Sequence, residues 1–519
     1  MTNWKSQVKT CRKSSRLSNI AAAALYFVPI VLPFIFLISG GINIAHPLLN
    51  ERRLGLMVNS LQIALLTVLI CAVISVFACI GINRLFKQGS VSRWFFMLMA
   101  PVPSYIHALC YMSFIRIMGK LFPGLLSLSV SGITPCIIVE CFCFLPFACA
   151  AALTGMDTME KSEIKAALLF AKADKVFFKI ILPKLLPYVT AMGAVIFVLS
   201  ITDYTIPSLF QVNVYAMEIF SDYSASGQST HSLYLSLPPI ITASAVIILF
   251  FAPLGRISQP MKSREGISIR YSKGLNTAGK IAVLILILQI ILPLLSLVSY
   301  VGAFFKDFVP AFKELFNSMI TGAVTVLIII PLSFGLALLL SKTAGVKKLL
   351  FMLAAILPLS VPGALTGIAV LKFFSDTFLY VLRDSVFFPA FGMAVRYMPY
   401  ALLIQYGCYI RMDRERIDAA YLLQKRKGEA FFKVKLAMMA PGIMITSAAV
   451  FLLSLGDVGT ILMLMSAGRE PLSVKIYNYL HYGQSEAVAV FCLMQITACL
   501  LVMAGMFAVM KKMAKEHYA

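Results

Sequence analysis

Four ionisable residues stand inside otherwise apolar runs of this 519-residue chain: Glu140, Asp203, Arg396 and Asp457. Charge at membrane depth is costly and generally faces a bundle interior or a water path. Such residues point to handling a charged solute and not to making or breaking its bonds. At roughly 1.5 Å of rise per residue, Glu140 lies about 10 Å and Arg396 about 15 Å below the outer end of their runs, and Asp203 and Asp457 about 24 Å above the inner end of theirs. All four then fall in the outer half. Three carboxylates beside one guanidinium would suit a cation arriving from outside, with Arg396 pairing to one acid; an unpaired Arg396 facing the path would favour an anion. The alternative for the same residues is a structural ion pair or a polar helix-terminus contact, neither of which needs a transport role. No catalytic set and no metal site is expected. Cys141 and Cys143 flank Glu140, but positions two apart on a helix point away from each other, and the eleven cysteines lie mostly within apolar runs.

A second device occurs twice, between long apolar runs. One copy runs Ala166-Ala167-Leu168-Leu169-Phe170-Ala171 and then Phe177-Phe178-Lys179-Ile180-Ile181-Leu182-Pro183; the other is Asp418-Ala419-Ala420-Tyr421-Leu422-Leu423-Gln424, followed by Phe431-Phe432-Lys433-Val434-Lys435-Leu436. Ala, Leu and Lys favour helix, and the paired phenylalanines put bulky apolar groups on basic loops where something must cover them. That cover is membrane lipid, for an amphipathic helix lying in the interface, or a protein partner.

The elements that carry these residues are membrane helices. With 60% apolar and 13% charged residues and a mean hydropathy of +0.89, the chain has too little polar surface for a soluble domain. About twelve runs of some 20 apolar residues can each cross the bilayer as helix, approximately 20–40, 57–82, 94–118, 133–156, 186–209, 233–254, 281–304, 318–340, 350–373, 386–410, 441–465 and 487–510. The first is too long for a cleavable signal and is expected to remain as an anchor. With the basic N-terminus inside, alternate loops hold about 34 of the 45 basic residues. Both termini and both doubled segments are then cytoplasmic. The net charge of +23 reads as a topology signal with some attraction to anionic lipid, not as a nucleic-acid footprint.

The second half repeats the first. Asn59-Ser60 and Thr67-Val68-Leu69-Ile70 recur as Asn317-Ser318 and Thr325-Val326-Leu327-Ile328; Phe197, Leu199, Ser200 and Asp203 recur as Phe451, Leu453, Ser454 and Asp457; Pro187 recurs as Pro441, and Gly227-Gln228-Ser229 as Gly483-Gln484-Ser485. Two six-span units, 1–258 and 259–519, are expected as parallel repeats about an axis along the membrane normal, with a solute path between them. The connection, roughly Arg256 to Lys280, holds Gly274-Leu275-Asn276-Thr277-Ala278-Gly279-Lys280, which has the spacing of a phosphate loop. Ile281 stands where magnesium needs a hydroxyl, and a span follows. Any ATP-driven work must therefore use a partner.

Asp418-Ala419-Ala420, three residues, Gln424, and then Val434-Lys435-Leu436-Ala437 resembles the cytoplasmic signature of binding-protein-dependent ABC importer permeases: Glu-Ala-Ala, three residues, Gly, nine residues, Ile, one residue, Leu-Pro. The second copy keeps that spacing but has Asp for Glu, Gln424 for Gly, Val434 for Ile and Ala437 for Pro. The first copy keeps Ala166-Ala167 and Ile180-Ile181-Leu182-Pro183, with Lys165 at the acidic position and Ala171 at the glycine, one residue short; Glu163 nearby could replace the acid. The resemblance implies an all-α type I importer permease of the bacterial cytoplasmic membrane. Coupling segments at 161–187 and 413–441 would dock on a homodimeric ABC ATPase, which holds the ATP and magnesium while this chain binds no cofactor. An extracytoplasmic binding protein would deliver the solute. Arg396-Tyr397-Met398-Pro399-Tyr400 and Tyr477-Asn478-Tyr479-Leu480-His481-Tyr482-Gly483 narrow the likeness to permeases for ferric iron, thiamine and 2-aminoethylphosphonate, with polyamine permeases further off. Ferric iron is the cargo expected from that subgroup. An ion-coupled secondary transporter is the rival class, since parallel six-span repeats also describe carriers.

Overall fold

The computed structural model describes residues 21–38, 48, 50–86, 96, 100, 102–121, 131–251, 269–298, 304–410, 412, 417, 419–420, 423, 430–466, 468–481 and 485–516. The first half contains α1 (Ala21–Ile38), α2 (Glu51–Leu85), α3 (Ser104–Leu121), α4 (Ile133–Asp157), α5 (Lys161–Phe170), α6 (Ala173–Ile201), α7 (Thr205–Leu209), α8 (Tyr215–Ser226), α9 (Ser229–Leu235) and α10 (Leu237–Phe251). The second contains α11 (Lys273–Val298), α12 (Phe304–Lys342), α13 (Gly345–Ile356), α14 (Gly363–Ser375), α15 (Phe387–Tyr409), α16 (Phe431–Gly456), α17 (Ile461–Leu464), α18 (Leu472–His481) and α19 (Ser485–Glu516). No strand occurs among the described residues, as an apolar solvent that cannot satisfy backbone groups requires. This is an all-α integral membrane protein.

Among the described residues nine helices are long and apolar enough to cross a membrane, eleven if each bent pair forms one span. The expected number was about twelve. The difference lies in α3, 18 residues that carry Arg116 and Lys120, and in two breaks: α9 meets α10 at 47°, and the helix through Ser360 meets α14 at 96°. Pro358 and Pro362 at the sharper break remove backbone donors that a continuous helix needs. Composition locates an apolar run but not its continuity.

In each half three helices pack mutually, α2 with α4 and α6, and α12 with α15 and α16. The recurring serines have equivalent tasks: Ser60 accepts the Tyr215 N–H at 3.0 Å, and Ser318 accepts the Leu472 N–H at 2.9 Å. Each thereby ties the start of an outer helix to its long neighbour. The division expected at 258/259 lies outside the described residues. The opening helix of each half rests on the other half. Tyr26 and Ile30 of α1 are buried among Leu336, Leu340, Met398 and Leu402, and Val283, Leu286 and Ile290 of α11 join the core of the first half.

Two local chemistries fix α11 in place. A Cβ on Gly81 of α2 would stand 2.4 Å from the Gly279 carbonyl oxygen, so the helices meet backbone to backbone, as small residues allow in lipid. Pro146 inside α4 lacks the N–H that would reach the Phe142 carbonyl, and Gln289 of α11 donates its amide N–H there instead. The phosphate-loop spacing at Gly274–Lys280 lies wholly in the first turns of α11, where Gly279 serves this crossing. Gly81→Val should therefore lower stability by about 1–3 kcal/mol through overpacking, read as a lower melting temperature of the detergent-purified chain. Gly55→Val, with nothing within 4 Å of the added Cβ, should leave it near the parental value.

Candidate functional site

The fifth span of each half stops at an aspartate. α6 ends at Ile201, and the Asp203 carboxylate then accepts the N–H groups of Thr205 and Ile206 at 2.9 and 3.4 Å, capping the short helix α7. α16 ends at Gly456, and Asp457 accepts the N–H groups of Thr460 and Ile461 at 2.7 and 3.3 Å ahead of α17. A helix leaves its first N–H groups without internal partners, and a carboxylate supplies the acceptor that water would supply elsewhere. The repeat at Asp203 and Asp457 is thus a pair of helix breaks in the membrane.

The two breaks differ in charge. Asp457 takes the Tyr397 hydroxyl at 2.6 Å, the Thr460 hydroxyl at 3.1 Å and the Arg396 Nε at 3.4 Å. Its side chain is 1% exposed. Arg396 also donates through Nη1 to the Thr460 hydroxyl at 3.1 Å and lies over the Tyr397 ring. Gly363 makes room for it, since a Cβ there would lie 1.3 Å from Nη1, while a Cβ on Gly459 would touch Nη1 at 3.6 Å. The same Gly459 position faces Tyr204 at 3.4 Å, so the two breaks approach one another across the boundary between the halves. Asp203, by contrast, has no ion-pair partner among the described residues. It is half-buried beside Tyr204.

Glu140 is held within the first half. It is fully enclosed among α2, α4 and α6 and accepts hydrogen bonds from the Thr67 hydroxyl at 3.3 Å and from Ser200. Arg396 pairs with Asp457 and its field reaches Asp203, while Glu140 is bonded inside the first half, within electrostatic reach of Asp203. Cys141 turns towards the Thr67 carbonyl and Cys143 towards that of Ser104, so the two thiols serve different neighbours. No group of three His, Cys, Asp or Glu side chains suited to a metal occurs among the described residues.

At the opposite, basic end, α5 carries the first doubled segment. Ala166 is exposed, and Ala167 and Ala171 are half-buried. Phe177 corrects the expectation of an exposed pair: it is 1% exposed, edge-on to Phe178 and Tyr271. Phe178 is half-exposed and Pro183 exposed. The nearby acid Glu163 pairs with Lys184. The apolar groups that α5 presents are instead Leu169 and Phe170, 83% and 91% exposed, which the reading as a helix could have singled out as its free end. In the second copy Asp418 and Gln424 lie outside the described residues; Ala419 is exposed, Ala420 half-buried, Phe431 edge-on to Phe334, and Phe432 largely exposed. Both copies lead into a π-helical turn, Phe177–Ile181 and Ala430–Leu436.

Sequence reasoning missed Thr460, Tyr204 and Phe220 as members of the outer layer, and used Tyr477 only in the resemblance. Tyr477 lies in α18. Tyr204 stacks on Phe220 at 5.5 Å and meets Tyr477 edge-on at 6.4 Å, and the Tyr477 hydroxyl lies 3.1 Å from that of Ser208. The available signal was the tyrosine-rich stretch 477–482 beside the repeated aspartates.

Paired broken spans carrying ionisable groups mark this as a polytopic α-helical membrane protein. No family model matches the chain. It is 28% identical over 193 residues to the spermidine/putrescine transport system permease protein PotC homolog of Mycoplasma pneumoniae, covering 36% of this chain and 67% of that protein. The same-named protein of Mycoplasma genitalium is 26% identical over 177 residues, covering 34% of this chain and 62% of its own length. The likeness supports an ABC importer permease, a multi-pass transport subunit and not an enzyme. Ferric iron finds no support in these relatives.

Arg396→Met should leave Asp457 charged and buried, at a cost of about 3 kcal/mol or more. The double change Arg396→Met with Asp457→Asn, which keeps an N-capping side chain, should recover most of that loss in a thermal melt of the purified chain.

Proposed function

We propose that this chain forms the translocation path of an ATP-driven, binding-protein-dependent importer for small organic cations of the polyamine class. The observation that carries the importer mechanism is the nearly complete exposure of Leu169 and Phe170 at the end of a helix that is anchored to the protein through Ile164, Ala167 and Leu168, in the segment whose sequence resembles a coupling segment. Two adjacent large apolar groups held clear of their own core call for a cover. A groove on a cytoplasmic ATPase subunit supplies it, with 413–441 docking on a second, identical subunit. ATP and magnesium belong to that partner, and an extracytoplasmic protein hands over the solute. Motion of the ATPase pair would open the boundary between the halves on alternate sides, a rigid-body switch between two states.

The cargo class follows the relatives, whose names give spermidine and putrescine, and accords with two aspartates against one arginine at the outer layer. Thiamine, a cation as well, is the nearest competitor; the anionic group of 2-aminoethylphosphonate fits that charge balance less well.

Mild-detergent affinity purification of the chain from its native membrane, with mass spectrometry of what accompanies it, tests the proposal. A P-loop ATPase at about two copies per chain is expected, and Phe170→Asp should release most of it while the chain stays in the membrane, because a carboxylate would be buried without a partner. Reproducible absence of any ATPase, or full recovery with Phe170→Asp, would contradict the docking and leave lipid as the cover.

A further inference from the structure

The outer layer contains the same construction twice, once with its cation built in. At the spacing that relates Asp203 to Asp457, Arg396 corresponds to Phe142, Tyr397 to Cys143 and Thr460 to Ile206. Every side chain that neutralises or bonds the Asp457 carboxylate thus has a counterpart with neither charge nor oxygen. An ionised carboxylate offers about four acceptor sites on two oxygens; Asp203 receives two backbone N–H groups, with the Thr205 hydroxyl beside it. Arg396 lies near enough for its field to reach Asp203, but its hydrogen bond and ion pair go to Thr460 and Asp457.

Aromatic surface gathers where the cation is missing. Tyr204 is 4% exposed and its hydroxyl has no hydrogen-bond partner among the described residues. Tyr477, Asp457, Asp203 and Arg396 all lie within electrostatic reach of that hydroxyl, and the Tyr204 ring borders Gly459 at the second break. Tyr477 comes from the second half and meets Tyr204 edge-on, and Phe220 is stacked on Tyr204. A carboxylate beside π faces and an unpaired phenol is the environment that holds an alkylammonium: charge-assisted hydrogen bonds to the acid, cation–π attraction to the rings. The partner half shows the same pairing in place, with the Arg396 guanidinium between Asp457 and the Tyr397 ring.

We propose that Asp203, with Tyr204 and Tyr477, is the ammonium site of the path, and that one primary ammonium group of the cargo docks there in the role that Arg396 performs beside Asp457. Only one of the two repeated aspartates serves cargo. The other is a permanent strut. The inference rests on the cationic-importer reading and deepens it.

Radiolabelled putrescine uptake, in cells carrying the full chain with its own partners, separates the two. Asparagine and serine both cap helices, so Asp203→Asn and Asp203→Ser remove the charge while keeping an acceptor for the two N–H groups. Loss of a charged hydrogen bond predicts a fall in uptake of at least about tenfold in both variants at an unchanged amount of chain in the membrane. Parental uptake with unchanged uptake in both variants overturns the site alone and leaves the importer standing. No putrescine uptake by the parental cells overturns the cargo class and the site with it. If either variant fails to reach the membrane, carbodiimide labelling of Asp203 in the unaltered chain, read by mass spectrometry, decides: protection by putrescine is expected, and labelling at the same rate with and without it overturns the proposal.

Discussion

The structure depends on one constraint: a charge without water must be answered by a neighbour. On insertion scales an arginine or aspartate at the centre of a membrane helix costs about 2.5–3.5 kcal/mol even when it can still adjust its position. Arg396 and Asp457 meet that demand together, and the demand reaches outward from them. Gly363 has no room for a side chain because the guanidinium lies where one would project, and Thr460 and Tyr397 direct hydroxyl groups at the same cluster. The Asp457 carbonyl is held in turn by the Ser473 hydroxyl at 2.8 Å. One ion pair thereby organises the middle of α15, the end of α16 and the starts of α14 and α18.

Backbone groups obey the same rule. Where a proline or a helix end frees a carbonyl, a side-chain amide from another helix takes it: Gln289 for Phe142, and Gln495 for Leu455 at 2.7 Å. Because Gln289 belongs to the second half and Phe142 to the first, satisfying that carbonyl also joins the halves. The exchange of opening helices adds apolar contact to the same union.

Much of this was legible in the sequence, and the limits have physical causes. The membrane class, the positions of most spans and the repeat all follow from hydropathy and spacing, because lipid imposes length and composition on any helix that crosses it. The repeated Asn-Ser pair was visible as a pattern, but its hydrogen bond to an outer helix was not, since that bond joins residues far apart in the chain. Asp203 and Asp457 read as equivalent because their flanking residues match. Their difference comes from Arg396 and Tyr397, which reach Asp457 only through folding. Phe177 and Phe178 read alike for a related reason: hydrophobicity marks both, and only the packing of Tyr271 against Phe177 separates the buried ring from the exposed one. The helix breaks escaped altogether, because an apolar run has the same composition whether it is straight or bent.

The energy source is the most direct test of what this molecule does. The chain, co-purified with its partners and reconstituted in liposomes, can be given labelled putrescine and its binding protein on the outer side and ATP on the nucleotide side. Accumulation that requires ATP hydrolysis and persists when ionophores collapse the proton and sodium gradients is the result this account predicts. Accumulation that proceeds without ATP and disappears with those gradients would contradict it and make the chain an ion-coupled carrier.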